Sequence, residues 1–122
     1  MKVVAITGSA GKTTTKDMLT AILSASYPTL STPANIDPVY NIPTTILKCR
    51  PWTRYLILEM GIEYPGEMDF YTWLAVPNIA IITNISSVHA QYLHNISAIA
   101  KEKGRIAAKM TPQSTLIVNA ND

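Results

Sequence analysis

The sequence has a single cysteine, few charged residues and no long apolar run. Cys49 has no second cysteine to pair with, so an internal disulfide bond is excluded. Charged residues make up 15% of the 122 residues and the formal net charge is +2, with the basic residues scattered, so nothing indicates a nucleic-acid-binding surface. No apolar run is long enough to span a membrane and the N-terminus has no signal-peptide pattern, so we expect a cytoplasmic protein without membrane contact.

Short apolar runs alternate with helical patterns along the chain. The pattern predicts strands and helices in the order 2–7 (strand), 12–26 (helix), 54–60 (strand), 66–75 (helix), 79–83 (strand), 96–110 (helix) and 115–119 (strand). Strands that alternate with helices are typical of a parallel sheet. We therefore predict one α/β domain over residues 1–122, with a P-loop NTPase-like parallel sheet that helices cover on both faces.

Two details of this pattern can be tested against a structure. In the first predicted helix, four apolar residues lie on one side: Met18, Leu19, Ile22 and Leu23. Residues 28–53 contain five of the eight prolines, so we expect this stretch to be mostly irregular, with a helical turn near residues 44–48. Long irregular stretches in compact domains often have a function.

The first predicted strand leads into a turn that opens a helix, with the sequence Thr-Gly-Ser-Ala-Gly-Lys-Thr-Thr at residues 7–14. The general pattern G-x-x-x-x-G-K-[ST] is not met, because Ile6 stands five residues before Gly11. The shorter T-G-x-x-G-K-T-T has the same physical elements: glycines that let backbone N–H groups face a phosphate, and a helix start with partial positive charge. The alternative is a glycine-containing turn with a surface lysine.

The context favours phosphate binding, because the loop follows a buried strand and places Lys-Thr-Thr at the start of a helix. Lys12 would neutralise the β- and γ-phosphates of ATP, and the Thr13 hydroxyl would hold Mg²⁺. The predicted ATP-binding residues of the loop are Gly8, Ser9, Ala10, Gly11, Lys12, Thr13 and Thr14.

One lysine falls on an apolar helix face. When residues 96–110 are placed on a helix at about 100° per residue, Lys103 lies in the middle of a stripe formed by Ile96, Ile99, Ala100, Ile106, Ala107 and Met110. Its stem could cover the edge of the core while the ammonium reaches water. Alternatively, burial lowers its pKa and leaves a neutral amine that can react with CO₂ to form a carbamate. The pattern alone leaves both interpretations open.

Five segments together resemble the ATP-binding central domain of the Mur ligases, in order and approximate spacing along the whole chain. They are residues 6–19 (ITGSAGKTTTKDML), Glu59-Met60-Gly61 with Gly66-Glu67, Thr83-Asn84-Ile85 with His89, residues 100–106 (AKEKGRI) and residues 118–122 (VNAND). These enzymes join amino acids or short peptides to the peptidoglycan precursor by an ATP-dependent reaction. The resemblance implies that the chain corresponds to the first part of the central domain.

The resemblance also implies roles for individual residues. Glu59 would bind Mg²⁺, His89 would bind a second Mg²⁺, and Lys103 would carry a metal-holding carbamate, so the implied catalytic residues are Lys12, His89 and Lys103. Asn84 would lie near the phosphates, and Asn119 and Asp122 near the adenine. The implied substrates are a UDP-N-acetylmuramoyl-peptide and a D-amino-acid dipeptide such as D-alanyl-D-alanine.

The sequence departs from the family in one loop and leaves other functions open. The family's Asn-rich G-N-x-N-N…G-x-P stretch, implied to lie near the acceptor substrate, is here Ala34-Asn35-Ile36-Asp37-Pro38-Val39-Tyr40-Asn41-Ile42-Pro43. Alternatives are a Mur-like ligase of the folylpolyglutamate or cyanophycin synthetase type, or a stand-alone nucleotide-binding module without ligase activity. We expect the remaining ligase domains in cis or on a partner chain, and no ligation by this chain alone.

Overall fold

The computed structural model describes residues 1–62, 64–85 and 96–119, and every structural statement below concerns these residues. Five strands are present, β1 (Lys2–Thr7), β2 (Thr29–Ser31), β3 (Tyr55–Glu59), β4 (Ile79–Ile82) and β5 (Thr115–Val118). They alternate with four helices, α1 (Lys12–Ser24), α2 (Pro38–Leu47), α3 (Glu67–Leu74) and α4 (Ile96–Gly104). No helix in this part of the chain is long and apolar enough to cross a membrane.

The strands form one parallel sheet in the order β2-β3-β1-β4-β5. The central strand β1 pairs with β3 on one side, where Ile6 lies opposite Glu59, and with β4 on the other, where Thr7 lies opposite Ile82. The predicted parallel α/β sheet is confirmed. Because all strands run the same way, their carboxyl ends meet at one edge of the sheet, where sites gather in this class of fold.

Helices pack on both faces of the sheet, as predicted. On one face, Leu19 and Leu23 of α1 pack against a small cluster of Val4, Ile6 and Ile57. The other face has the larger core, which joins the sheet to α2, α3 and the segment after α4: Ala5, Ile42, Leu56, Leu58, Met60, Met68, Tyr71, Ala80 and Ile106. Apolar residues on both faces of β1 explain why its sequence is a continuous apolar run.

Helix α1 buries a narrower apolar face than its sequence indicates. Leu19 and Leu23 face the sheet, but Met18 and Ile22 are 61% and 67% exposed. The residue that α1 does bury is Lys16, whose ammonium lies 2.8 Å from the backbone oxygen of Thr32. The hydrophobic pattern could not show this, because a buried lysine needs a partner from elsewhere in the chain.

The prediction that residues 28–53 are mostly irregular is wrong, since they contain β2 and the ten-residue helix α2. Pro38 stands in the first turn of α2, where its missing N–H costs nothing, and the Asp37 carboxylate caps the helix by accepting a hydrogen bond from the Val39 amide at 3.0 Å. Pro43 lies inside α2, next to the buried Ile42. Burial of this face stabilises the helix despite the proline.

The predicted helix over 96–110 is shorter in the structure. Helix α4 ends at Gly104 and is followed by a 3-10 turn at Arg105–Ala107. The Glu102 carboxylate oxygen accepts hydrogen bonds from the amides of Gly66, at 2.9 Å, and Met68, at 3.2 Å. Because Gly66 is the N-cap of α3 and has no side chain with which to cap it, Glu102 supplies the cap from α4.

Replacing Glu102 with alanine should lower the free energy of unfolding by about 1 kcal/mol, because both α3 amides lose their acceptor. Urea unfolding followed by circular dichroism measures this difference. Lys101→Ala is the matched control, since Lys101 is the exposed neighbour on the same helix. Equal stability of the two variants would show that the cap contributes nothing.

Candidate nucleotide-binding site

The carboxyl ends of three neighbouring strands bring the predicted site residues together. The loop of residues 7–14 follows β1, Glu59 ends β3, and Thr83 and Asn84 follow β4. The amide of Thr83 donates to the backbone oxygen of Thr7 at 2.9 Å, which keeps the strand β4 beside β1 up to the loop. The sheet thus gathers residues that are separated by more than 70 positions in the sequence.

The loop needs glycine at two positions. Gly8 has φ +148° and Gly11 has φ +82°, both in the region that residues with a side chain rarely adopt. A Cβ at Gly8 would lie 1.9 Å from the hydroxyl oxygen of Thr83. That hydroxyl donates a hydrogen bond to the backbone oxygen of Ala10 at 2.6 Å. Thr83 therefore packs closely against Gly8 and stabilises the turn of the loop.

Asn84 also supports the loop. Its side-chain oxygen accepts hydrogen bonds from the amides of Ser9, at 3.0 Å, and Ala10, at 2.9 Å. Its backbone oxygen accepts from the Ser9 amide as well, at 3.1 Å. In this structure two loop amides therefore point at Asn84, and the direct contact of Asn84 with phosphate stays a prediction.

The first turn of α1 is the part of the loop that is open to an anion. Gly11 is the N-cap and supplies no side-chain hydrogen bond. The first amides of a helix have no partner within the helix, and the helix dipole favours negative charge there. The amides of Lys12, Thr13 and Thr14 are therefore placed to bind phosphate oxygens.

Two lysines contact neighbouring residues of the loop, Gly8 and Ser9. The Lys12 ammonium donates to the backbone oxygen of Gly8 at 2.9 Å, and the Lys103 ammonium donates to the Ser9 hydroxyl at 3.0 Å. Lys103 is only 4% exposed, so it is not a lysine whose ammonium reaches water. Of the two arrangements that the helical pattern left open, the structure has the buried lysine, and the partner that it contacts is part of the loop.

The electrostatic environment lowers the pKa of both lysines. Burial and, to a lesser extent, the nearby positive charge of Lys12 together lower the pKa of Lys103 to about 8. Burial also lowers the pKa of Lys12, which the Glu59 carboxylate partly offsets. At neutral pH a fraction of Lys103 is therefore a neutral amine, the form that reacts with CO₂.

The folded chain should become more stable as pH rises through the pKa of Lys103. An unfolded lysine has its ordinary pKa of about 10.4, whereas burial lowers the pKa of Lys103 to about 8 in the folded chain. Below both values the folded chain has the full cost of a buried charge. Between them the unfolded chain binds more protons, so the free energy of unfolding rises with pH, by an amount on the order of 1 kcal/mol.

Urea unfolding at pH 7.5 and 9.5, in buffer free of CO₂, tests this pH dependence. The comparison is with Lys103→Met, which keeps an unbranched stem without the charge. Wild type should gain stability relative to the variant at the higher pH. A constant difference between the two proteins would show that Lys103 does not titrate in this range.

Thr13 and Glu59 form a candidate site for a cation. The Thr13 hydroxyl donates to a carboxylate oxygen of Glu59 at 2.8 Å, so two oxygen ligands stand together at the start of α1. Over the described part of the chain no group of three or more His, Cys, Asp or Glu side chains could hold a metal ion. This donor set suits Mg²⁺, which usually keeps several waters and takes one or two protein ligands together with substrate phosphates.

A cleft of about 510 Å³ opens beside this pair. It is lined by Lys12, Thr13 and Glu59, by the residues around the N-terminus of α2, and by Ile62 and Tyr64. Asp37 belongs to the stretch 34–43 that departs from the family pattern, and it also lines this cleft.

Three predicted site residues remain: Asn119, His89 and Asp122. The Asn119 side chain donates to the backbone oxygen of Thr83 at 3.5 Å, which puts the end of β5 beside the loop. His89 and Asp122 lie outside the described residues, so their predicted roles in binding metal and adenine stay predictions.

The chain is similar to known proteins over nearly its whole length. Residues 6–122 match the family model of the Mur ligase middle domain. The chain is 45% identical over 108 residues to the UDP-N-acetylmuramoyl-tripeptide–D-alanyl-D-alanine ligase of Borreliella burgdorferi, a match that covers 88% of this chain and 23% of that protein.

Solved structures are similar to the same extent. The structure matches MurF from Acinetobacter baumannii with a TM-score of 0.91 and 38% identity, over 96% of this chain and 26% of that one. It matches the MurF ligase from Thermotoga maritima in complex with ADP with a TM-score of 0.91 and 30% identity, over 99% of this chain and 28% of that one. The chain thus spans less than a third of the length of these relatives.

Proposed function

Because this chain belongs to the Mur ligase family and matches its middle domain, we propose that it is the MgATP-binding part of a ligase that extends peptidoglycan precursors. The observation that carries the proposal is the meeting of Lys12, Lys103 and the Thr13–Glu59 pair at one phosphate loop. The ADP in the Thermotoga maritima structure supports a nucleotide ligand. The names of the relatives support a UDP-N-acetylmuramoyl-tripeptide and D-alanyl-D-alanine as substrates.

The proposed reaction forms an amide through an acyl phosphate. A carboxylate oxygen of the tripeptide attacks the γ-phosphorus of ATP, the bond from that phosphorus to the bridging oxygen breaks, and ADP leaves. The amine of D-alanyl-D-alanine then attacks the acyl carbon, phosphate leaves, and the nitrogen gives up a proton. Since little of this chemistry is covalent with the protein, its task is to position the reactants and to neutralise charge.

Each site residue has a part in that task. The first-turn amides of α1 would bind the phosphates, and Lys12 would move from the Gly8 carbonyl to neutralise the β- and γ-oxygens. Thr13 and Glu59 would hold Mg²⁺, which supplies charge neutralisation on the same phosphates. Asn84 and Thr83 would keep the loop in shape, and the cleft beside Glu59 would receive the reacting carboxylate or amine.

Lys103 has the properties that carbamate formation requires. Its amine is buried, its pKa is lowered to about 8, and no carboxylate is its hydrogen-bond partner in the described residues. Reaction of the neutral amine with CO₂ would release a proton and replace a positive charge beside Lys12 with a negative one. The carbamate would then be an oxygen ligand for a second metal ion, with His89 as the further ligand that the family resemblance implies.

Titration of MgATP into the wild-type chain by calorimetry tests the proposed function. We expect saturable binding of one nucleotide per chain, because one phosphate loop is present. Far-UV circular dichroism must show that the titrated chain is folded. A folded chain that releases no heat with MgATP or MgADP would contradict the proposal.

The chain alone should not complete the ligation, because it spans less than a third of the length of its relatives. The measurement is a search by mass spectrometry for the amide product after incubation with MgATP, the UDP-N-acetylmuramoyl-tripeptide and D-alanyl-D-alanine. Its positive control is a full-length relative such as the Borreliella burgdorferi enzyme. Product formed by this chain alone would overturn the prediction.

A further inference from the structure

We propose that Lys16 and Thr32 are positioning residues that hold Glu59 at the place where it binds the cation of MgATP. Neither residue lines the cleft beside the loop. Both are buried, with Lys16 3% and Thr32 1% exposed. The inference rests on the proposed function, because it assigns these two residues a role in the metal dependence of nucleotide binding.

The hydrogen-bond ladder between β2 and β3 is interrupted at Thr32 and Glu59. The Thr32 amide donates to the backbone oxygen of Ile57 at 3.1 Å, as in a regular parallel pair. In such a ladder the next bond would run from the Glu59 amide to the backbone oxygen of Thr32. Instead, the Glu59 amide donates to the side-chain hydroxyl of Thr32 at 3.0 Å.

Because the Glu59 amide bonds to the hydroxyl, the backbone oxygen of Thr32 needs another donor. The backbone oxygen of Thr32 accepts a hydrogen bond from the Lys16 ammonium at 2.8 Å, in a buried position. A buried carbonyl without a partner would be costly, so the lysine stabilises the turned backbone. The Lys16 charge is balanced at the surface by Asp17, 3.2 Å away, whose side chain is 66% exposed.

Helix α1 connects Lys16 to the phosphate loop through Thr13. Lys16 and Thr13 are three residues apart on α1, a spacing that puts them on the same side of a helix. Thr13 donates to the Glu59 carboxylate at 2.8 Å. Glu59 is therefore held twice: its side chain is bound by Thr13, and its backbone is bound by Thr32, which Lys16 fixes from the same helix.

The contacts from Lys16 to Thr32, from Thr32 to Glu59 and from Glu59 back to Thr13 form a closed ring. This ring sets the distance between the Glu59 carboxylate and the start of α1. Without the Thr32 hydroxyl the Glu59 amide has to find another acceptor, and the end of β3 moves with it. A cation site with only two protein ligands is sensitive to such a shift, because Mg²⁺ demands near-ideal octahedral geometry. Phosphate binding by the α1 amides does not depend on Glu59, so it should persist.

The test compares nucleotide affinity with and without Mg²⁺ in four variants. Thr32→Val removes the hydroxyl at nearly constant shape, and Lys16→Met removes the ammonium and keeps the stem. Thr32→Ser keeps the hydroxyl, and Asp17→Asn removes the surface ion pair alone. The measured quantity is the ratio of the ATP affinity in MgCl₂ to the affinity in EDTA.

We expect Thr32→Val and Lys16→Met to lower this ratio about tenfold, the value of one lost hydrogen bond, with unchanged affinity in EDTA. Thr32→Ser and Asp17→Asn should keep the wild-type ratio within about twofold. In the chain without ligand, hydrogen exchange of the Glu59 amide should be faster in the first two variants than in the last two. If Thr32→Val does not fold, Lys16→Met and Thr32→Ser decide the question between them.

Two results would overturn the inference. One is a wild-type Mg²⁺ ratio in folded Thr32→Val or Lys16→Met; the other is an equal loss of affinity with and without Mg²⁺, which would indicate a purely structural role. Both assume a wild-type chain that binds MgATP. A folded wild-type chain that binds no nucleotide would instead contradict the proposed function, and the metal role of Lys16 and Thr32 with it.

Discussion

Replacing Lys12 with alanine should weaken MgATP binding about 10- to 150-fold. A hydrogen bond to a charged group contributes about 1.5–3 kcal/mol. Lys12 is the lysine of the loop itself and the first residue of α1. Its resting partner is the neutral carbonyl of Gly8, so the ammonium gains a stronger, charged partner when phosphate enters. Calorimetric titration of wild type and variant gives the ratio of the two dissociation constants.

Lys48→Ala is the control for general loss of positive charge, because Lys48 is exposed and follows α2. It should bind MgATP within about twofold of wild type.

A second measurement, the pKa of Lys103, is specific to the Lys12 variant. Since the Lys12 charge lowers the pKa of Lys103, the pKa of Lys103 should rise in Lys12→Ala, as followed by NMR. Equal affinities of Lys12→Ala and wild type would contradict the assignment of the loop.

Bicarbonate should tighten MgATP binding about tenfold in the wild-type chain and have no effect in Lys103→Ala. The gain corresponds to one charge-assisted metal contact that exists only when the carbamate is present. Because the pKa of Lys103 is lowered to about 8, the neutral amine becomes more abundant as pH rises from 7 to 8.5, so the effect should grow over this range. Calorimetry in buffers depleted of or supplied with bicarbonate measures it.

Lys101→Ala separates this effect from a general loss of charge on α4. Lys101 is exposed and lies on the same helix, so its variant should respond to bicarbonate as wild type does. With ¹³C-labelled bicarbonate, a carbamate carbon signal should appear in wild type and Lys101→Ala and be missing in Lys103→Ala. Bicarbonate-dependent binding in Lys103→Ala would show that another group is responsible.

The sequence predicted the residues whose chemistry shows in short local patterns. The loop at residues 7–14 follows a buried strand and opens a helix, and Lys103 interrupts an apolar stripe, so both could be found without a structure. The role of Glu59 was implied by the family resemblance, and its place near the carboxyl end of the predicted strand 54–60 is consistent with it. The pattern around Lys103 located the residue but did not by itself decide between its two interpretations.

The rest depended on contacts between distant segments. Lys16 has the same spacing as a surface lysine, and only the carbonyl of Thr32 explains its burial. Prolines in residues 28–53 indicated irregular backbone, yet Pro38 lies where a helix tolerates it, and the burial of Ile42 stabilises α2. Glu102 caps a helix 34 to 36 residues earlier in the chain, a partnership that no local pattern contains.

The two lysines at the phosphate loop have a consequence for how this chain would respond to selection in the laboratory. Lys12 and Lys103 are both partly desolvated, and desolvation lowers the pKa of each. The positive charge of Lys12 also lowers the pKa of Lys103. Replacing either with an uncharged residue of similar length should relieve that repulsion. A screen for heat resistance or for expression would therefore enrich substitutions at these two positions. The selected variants would be more stable but would have lost the lysines of the phosphate-binding site. Engineering of this domain should hold both positions fixed before any stabilising library is built.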